Sequence, residues 1–288
     1  MTNRISIMTM SMLRMVFIPI HLVQDYDEAL NQYDEMMHAV SLAGFCGVDV
    51  TKWEADYLGV ENIRKTLKEY NLSVSSYITF DEYAKSEGLQ ERIENGKRQA
   101  DIAKELGTNV LMLVPMAHEG LESLSKEEIH QNMISAWASI TSYANRLGLH
   151  VVIEDTPDLR LQLCKIEDVK AVMDQVPGLE LVYDSGNLIL DGEDPIDYIK
   201  AFSGRIGFVH LKDIRIMPEG TETNEKMADG RPTGAAPIGT GLIDIPAVIK
   251  ALEETGYAGG MTVEYAQFDD MNHLESMEKS FRYVKDLL

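Results

Sequence analysis

The stretch "HVVIEDTPDLRLQLCKIEDVKAVMDQVPGLELVYDSGN", residues 150–187, contains a complete strand–helix–strand unit. An apolar, β-branched run at residues 150–154 precedes an amphipathic segment at residues 166–175, and a second apolar run follows at residues 180–184. Short apolar runs of this kind are typical of strands buried on both faces, as parallel strands between helices are. The stretch therefore predicts a parallel βα repeat in which both strands end in a carboxylate.

The same alternation continues toward both ends of the chain and yields eight strands. The predicted strands are residues 4–9, 47–51, 73–79, 109–114, 150–154, 180–184, 206–212 and 261–264. The predicted helices are residues 25–42, 61–70, 90–106, 126–147, 166–175, 195–201, 245–254 and 273–288. Eight alternations in 288 residues are typical of a (β/α)8 barrel, whereas an open doubly wound sheet has fewer strands and an early phosphate-binding glycine turn. We therefore predict an α/β fold, a (β/α)8 barrel that forms a single domain over residues 1–288.

The composition excludes several classes of protein. Apolar residues make up 45% of the chain and charged residues 25%, which is ordinary for a folded globular protein. The formal net charge of −21 repels phosphate backbones and anionic lipids, so we expect neither a nucleic-acid nor a membrane partner. The two cysteines, Cys46 and Cys164, are too few for a disulfide framework. With no signal-peptide pattern and no apolar run of spanning length, a cytoplasmic location is expected.

One long segment, residues 216–241, has neither helical nor strand periodicity and is rich in Gly, Pro and Thr. It follows the seventh predicted strand, so it lies on the barrel face where active sites are built. A loop of this length is either functional or a disordered insertion, and the pattern alone allows both.

Four successive strands carry potential metal ligands. The motifs "VVIEDTP", "LVYDSGN", "GFVHLKD" and "MTVEYA" contain Glu154, Asp184, His210 and Glu264. Three carboxylates and an imidazole at one barrel mouth would repel one another unless a divalent cation neutralised them. Oxygen and nitrogen donors suit Mn²⁺, the ion we expect here, with Mg²⁺, Co²⁺ or Zn²⁺ as alternatives. Taken singly, each acid could instead be a helix cap or part of a salt bridge at the rim.

The texts "IEDTP", "YDSGN", "VHLKDIR" and "PIGTGLIDIPAVIKALEETGYAGGMTVEY" resemble the xylose isomerase-like TIM barrel superfamily. This superfamily holds sugar-phosphate isomerases, ketose 3-epimerases, inosose isomerases and dehydratases, and type IV apurinic endonucleases. The resemblance implies that Glu154, Asp184, His210 and Glu264 bind one metal ion, and that the protein is a homo-oligomer, either a dimer or a tetramer. The most specific element is G-x-G-x-I-D at residues 239–244, followed by a helix and a strand that ends in Glu264.

Departures from the pattern narrow the resemblance to the ketose 3-epimerase and inosose branches. The earlier strands end without histidine, and Asn187 stands three residues after Asp184, so the trinuclear zinc centre of the endonucleases cannot be assembled. Ketose 3-epimerases usually have a histidine where this chain has Asn187, although an amide can still donate a hydrogen bond. The resemblance implies that Glu154 and Glu264 act as the acid/base pair.

These features predict a metal-dependent isomerase or epimerase that forms an enediolate from a keto sugar or sugar phosphate. Two alternatives stay open: a dehydratase of the inosose type, and a non-catalytic or partner-dependent barrel that binds a sugar. Lys212, on the same side of its strand as His210, is a third catalytic candidate, with a rim salt bridge to Asp213 or Glu154 as the alternative. The candidate substrate-binding residues are Asn187, Arg215, His118 and Trp53.

Overall fold

Eight parallel strands pair in chain order and close into a ring. The computed structural model describes residues 4–13, 22–156, 158–223, 225–264 and 272–288. The ring strands are β1 (Ile5–Met8), β2 (Gly47–Thr51), β3 (Ser73–Asp81), β4 (Val110–Pro115), β5 (His150–Glu154), β6 (Leu179–Asp184), β7 (Ile206–Ile216) and β9 (Met261–Glu264). Pairing of β6 with β7, β7 with β9 and β9 with β1 completes the circuit. The predicted (β/α)8 TIM barrel is confirmed.

Helices surround the ring and follow the predicted pattern closely. The described helices are α1 (Thr9–Leu13), α2 (Tyr26–Ala43), α3 (Lys52–Leu58), α4 (Val60–Glu69), α5 (Leu89–Leu106), α6 (Lys126–Arg146), α7 (Ile166–Met173), α8 (Asn187–Leu190), α9 (Pro195–Ala201), α10 (Ile245–Glu254) and α11 (His273–Leu287). The sequence pattern missed α1, α3 and α8, which have five, seven and four residues and begin within three residues of the end of a strand, so their pattern merges with that of the strand. Within the described ranges, no helix is long and apolar enough to cross a membrane.

The barrel interior is apolar at one end and ionisable at the other. A cluster of Met8, Ile78, Val110, Met112, Val152, Val182 and Phe208 fills the lower interior. Side chains two residues apart on a strand face the same way. Glu154, Asp184 and His210 therefore follow Val152, Val182 and Phe208 on the same inward face, one layer closer to the mouth. Strand parity alone thus brings three of the four expected ligands into one layer.

The segment at residues 216–241 contains regular structure. β7 continues past the barrel to Ile216 and pairs antiparallel with β8 (Thr233–Ala236), so the two strands form an arm. For the described residues the disordered-insertion alternative is wrong; residue 224 lies outside the described ranges. The sequence pattern missed β8 because its small and polar residues lack the alternation of a half-buried strand.

The arm is tied to the barrel by one buried carboxylate. Asp213 accepts hydrogen bonds from the backbone N–H groups of Ile214, Gly239, Gly241 and Ile243, at 2.8 to 3.2 Å. A Cβ atom on residue 241 would collide with the Asp213 carboxylate, so this position requires glycine. The G-x-G element is therefore a backbone nest around Asp213.

Candidate metal centre

The four expected ligands come together at the mouth of the barrel. Glu154 and Asp184 end β5 and β6, His210 lies within β7, and Glu264 ends β9. One donor atom from each lies within 4.8 Å of the others. The side chains of Asp184 and His210 are fully buried, and those of the two glutamates are 12% and 16% exposed. Among the four side chains, those of the two glutamates are therefore the ones that reach toward solvent.

The geometry around the imidazole of His210 fits a bound cation. Its Nδ1 lies 2.8 Å from Glu154 Oε1 and also 2.8 Å from Glu264 Oε2. A ring nitrogen carries at most one proton, so it can donate to only one of the two carboxylates. Glu264 Oε2 and Asp184 Oδ2 are buried without a hydrogen-bond partner among the described residues. A divalent ion shared by these atoms would satisfy all of them, and the donor set suits Mn²⁺, Mg²⁺, Co²⁺ or Zn²⁺.

Two further interactions orient the ligands. Asp184 Oδ1 accepts hydrogen bonds from the N–H groups of Gly186 and Asn187, both at 2.7 Å, and this turns Oδ2 toward the cluster. On the far side of the imidazole, His210 Nε2 lies 3.2 Å from Oδ2 of Asp49, which is fully buried on β2. Sequence reasoning missed Asp49, although an acid inside the buried strand "GVDVT" is itself a signal, because such a group needs a partner.

In the absence of a metal ion, burial and the neighbouring Lys212 and His210 determine the pKa values of the cluster. Burial raises the pKa of Asp184 to about 8 and also raises the pKa of Glu154. Burial would raise the pKa of Glu264 as well, but the Lys212 ammonium and His210 lower it to about 2. Burial opposes protonation of His210, yet its carboxylate partners hold its pKa well above the usual value. Without a metal ion, protons take over part of the neutralisation.

Lys212 is a buried cation beside the ligand cluster. Its Nζ donates to Asn187 Oδ1 at 2.9 Å and lies 3.5 Å from Glu264 Oε1 and 3.6 Å from Glu225 Oε1. The Glu225 and Glu264 carboxylates outweigh the effect of burial and hold the pKa of Lys212 well above its usual value, so it stays an ammonium. Among the described residues its salt-bridge partners are thus Glu264 and Glu225 rather than Asp213 or Glu154.

The backbone and a glycine hold this ammonium in place. Ser185 Oγ donates to the carbonyl of Lys212 at 2.7 Å and accepts from its N–H at 2.9 Å. The aliphatic stem of Lys212 lies against Gly186, where a Cβ atom would come within 2.8 Å of Lys212 Cγ. Gly186 therefore provides the space that brings the ammonium next to Glu264.

The four predicted substrate-binding residues differ in how near they lie to the cluster. Asn187 adjoins it but is buried, with its amide oxygen on Lys212 and its Nδ2 donating to the carbonyl of Asp155 at 3.2 Å. Trp53, in the first turn of α3, stacks on Phe80 with ring centroids 4.3 Å apart.

The other two candidates, Arg215 and His118, lie after the barrel portions of β7 and β4. Arg215 lies on the arm, opposite Gly234 of β8. His118 follows β4, and its Nδ1 is 2.8 Å from the carbonyl oxygen of Glu119. Asn187 is connected directly to the ligand cluster through Lys212, whereas His118 contacts the carbonyl of its own loop and Arg215 lies on the arm.

The sequence of the chain matches a known protein family and curated relatives. The family model of the xylose isomerase-like TIM barrel matches residues 37–287. The chain is 26% identical over 272 residues to an inosose dehydratase of Clostridium botulinum strain Eklund 17B, covering 89% of this chain and 90% of that protein. An inosose dehydratase of Geobacillus thermodenitrificans is 26% identical over 271 residues, covering 88% and 89%.

Solved structures show the same fold at lower sequence identity. A D-allulose 3-epimerase from Methylomonas sp. is 16% identical with a TM-score of 0.74, covering 99% of this chain and 98% of that chain. The IolI protein with a bound zinc atom is 18% identical with a TM-score of 0.75, covering 99% and 97%. From the match over residues 37–287, the chain belongs to the xylose isomerase-like TIM barrel family.

Proposed function

We propose that the chain is a divalent-metal-dependent dehydratase that removes water from a keto polyol of the inosose type. The observation that carries this proposal is the Lys212 ammonium, 3.5 Å from Glu264 Oε1 of the ligand cluster, because elimination needs a proton donor in the site as well as a base and a metal ion. The inosose dehydratases that this chain resembles over about nine-tenths of its length support the same reaction class.

A divalent ion held by Glu154, Asp184, His210 and Glu264 would supply Lewis acidity toward the substrate carbonyl. Glu154 is the base that removes the proton next to this carbonyl. Oε1 of Glu264 lies beside the Lys212 ammonium, whereas Oε1 of Glu154 faces His210 Nδ1. The electron pair of the broken C–H bond is first held in an enediolate, and this electron pair then forms the new carbon–carbon double bond as the C–O bond of the β-hydroxyl breaks. Lys212 donates a proton to the departing hydroxyl, and the products are water and an α-hydroxyenone, which is the enol form of a 1,2-diketone.

The remaining residues position these groups and the substrate. Asn187 accepts from Lys212 and so directs the other ammonium protons toward the substrate side. Trp53 and Phe80 form a flat stacked pair next to the mouth, and such an aromatic surface suits the C–H face of a polyol ring.

The first test is incubation of Mn²⁺-loaded protein with 2-keto-myo-inositol in D₂O, followed by ultraviolet absorbance and NMR. A conjugated enone should form, and E154Q should abolish both enone formation and exchange of the α proton. K212M should retain exchange of the α proton while enone formation falls by about a hundredfold, within the usual range for loss of an acid catalyst. Enone formation at an unchanged rate in K212M would remove the proposed role of the ammonium.

Epimerisation or isomerisation is the second candidate, supported by the placement of Glu154 and Glu264 at equal distance from His210 Nδ1. Two carboxylates on either side of the reacting carbon can remove a proton and return it from the opposite face. Deuterium uptake by a ketose or inosose without enone formation would favour this reaction. Metal binding with no exchange across such a panel would instead favour a barrel that binds sugar without catalysis, or one that needs a partner.

A further inference from the structure

Glu225, on the arm, brings a fourth carboxylate to the site, and the proposed mechanism does not use it. Its Oε1 lies 3.6 Å from Lys212 Nζ, and its side chain is 28% exposed. Glu225 thus borders the buried ammonium on one side and solvent on the other.

The arm holds Glu225 in this place through its backbone. The carbonyl of Glu225 accepts from the N–H of Thr233 at 3.1 Å and from its Oγ1 at 2.9 Å. Its N–H donates to Thr223 Oγ1 at 3.2 Å. Thr233 belongs to β8 and pairs with Ile216 of β7, so the position of Glu225 depends on the same strand ladder that builds the arm.

Charge counting shows what Glu225 adds. A divalent ion at the cluster and the Lys212 ammonium would together offset the charge of the three ligand carboxylates. The carboxylate of Glu225 adds a further negative charge beyond these three, at the exposed edge of the site. In a partly desolvated mouth such a charge repels another anion more strongly than it would in water. The hydroxyl groups of an uncharged polyol can instead donate hydrogen bonds to it.

We propose that Glu225 is a specificity-determining residue that makes the site select uncharged polyhydroxy ketones against their phosphate esters. The inference rests on the proposed function, because it requires a site that accepts a keto polyol. Glu225 acts here on the choice of substrate and takes no part in breaking bonds.

Two small analogues of an enediolate, glycolohydroxamate and its phosphate ester phosphoglycolohydroxamate, test the proposal without knowledge of the natural sugar. Calorimetric titration of both into Mn²⁺-loaded protein gives the ratio of their dissociation constants. The unsubstituted analogue should bind at least as tightly as the phosphate ester. In E225Q the ratio should shift toward the phosphate ester by about tenfold, the effect of about 1.4 kcal/mol. The matched control is E222Q, which removes a charge from an exposed residue of the same arm and should shift the ratio by less than about twofold.

The outcomes separate this inference from the proposed function. Tighter binding of the phosphate ester by the unaltered protein would overturn the inference while leaving a functional enediolate site. An equal ratio in E225Q and the unaltered protein would also overturn it. If neither analogue binds to the metal-loaded protein, the proposed function fails, and the inference fails with it.

Discussion

Nε2 of His210 lies 3.2 Å from Oδ2 of Asp49, and both side chains are completely buried. Because Nδ1 faces the ligand carboxylates, Asp49 keeps the proton of the ring on Nε2 and leaves the Nδ1 lone pair for a metal ion. The pair spans the barrel from β2 to β7, so it also fixes the plane of the ring.

Replacing Asp49 by asparagine should weaken metal binding. The amide introduced by D49N retains a hydrogen-bond acceptor but lacks the charge, and the expected loss of Mn²⁺ affinity is about 10–100-fold. Competition titration of metal-free protein, followed by the electron paramagnetic resonance of free Mn²⁺, measures this affinity. The control D81N removes a charge at the end of the neighbouring strand β3, where Asp81 pairs with Arg92, and should keep the original affinity. Equal affinities in D49N and D81N would contradict the positioning role.

Replacing Gly186 by alanine should impair turnover and leave metal binding intact. The backbone at residue 186 has φ −101° and ψ −39°, which alanine adopts readily, so the effect comes from the added Cβ. That atom would lie 2.8 Å from Lys212 Cγ and push the ammonium away from Glu264. We expect kcat to fall by at least about tenfold, with Mn²⁺ affinity unchanged. The double variant G186A/K212M should be no slower than K212M, and a further loss would show that Gly186 acts elsewhere.

Glu54 should give the protein a pH-dependent stability that a glutamine removes. It is 1% exposed, and burial raises its pKa to about 7 even though Thr9 and Thr51 donate hydrogen bonds to it. Since this pKa is higher in the folded than in the unfolded chain, the contribution of Glu54 to the free energy of unfolding is greatest below about pH 4.5. It falls by about 3 kcal/mol as the pH rises to about 7, then stays level.

The measurement for Glu54 is urea unfolding of the unaltered protein and of E54Q between pH 4.5 and 8. The difference between their unfolding free energies should change by about 3 kcal/mol in favour of E54Q as the pH rises. The exposed residue Glu61, on α4, supplies the control E61Q, which should follow the unaltered protein. A constant difference between E54Q and the unaltered protein would show that Glu54 is ionised in the folded state throughout.

Replacing Asp213 by asparagine should loosen the arm. An amide nitrogen at this place would face N–H donors of Gly239 or Gly241 where the carboxylate now accepts from both. We expect a loss of about 2–3 kcal/mol in unfolding free energy, together with faster proteolytic cleavage within residues 216–241. D229N is the matched control, because the partner of the Asp229 carboxylate among the described residues is Arg231, on the exposed end of the arm. Cleavage at the same rate in both variants would contradict the anchoring role.

The sequence by itself determined the barrel and the four residues that meet at its mouth, and the reason is local. Strands β2, β5 and β9 occupy the predicted residues 47–51, 150–154 and 261–264, because the polar residues that flank each apolar run mark where the strand begins and ends. The inward parity of a strand also follows from its sequence, so the motifs around Glu154, Asp184 and His210 already implied that these side chains share one layer.

Only the tertiary structure decided the surroundings of that layer. Asp49 and His210 are 161 residues apart, and Glu225 meets Lys212 only because β8 folds back on the extension of β7. The space that Gly186 leaves for Lys212 likewise depends on β6 and β7 being neighbours. Such contacts join residues of different strands. The spacing of residues along one strand cannot predict them, because the closed barrel determines which distant side chains come into contact.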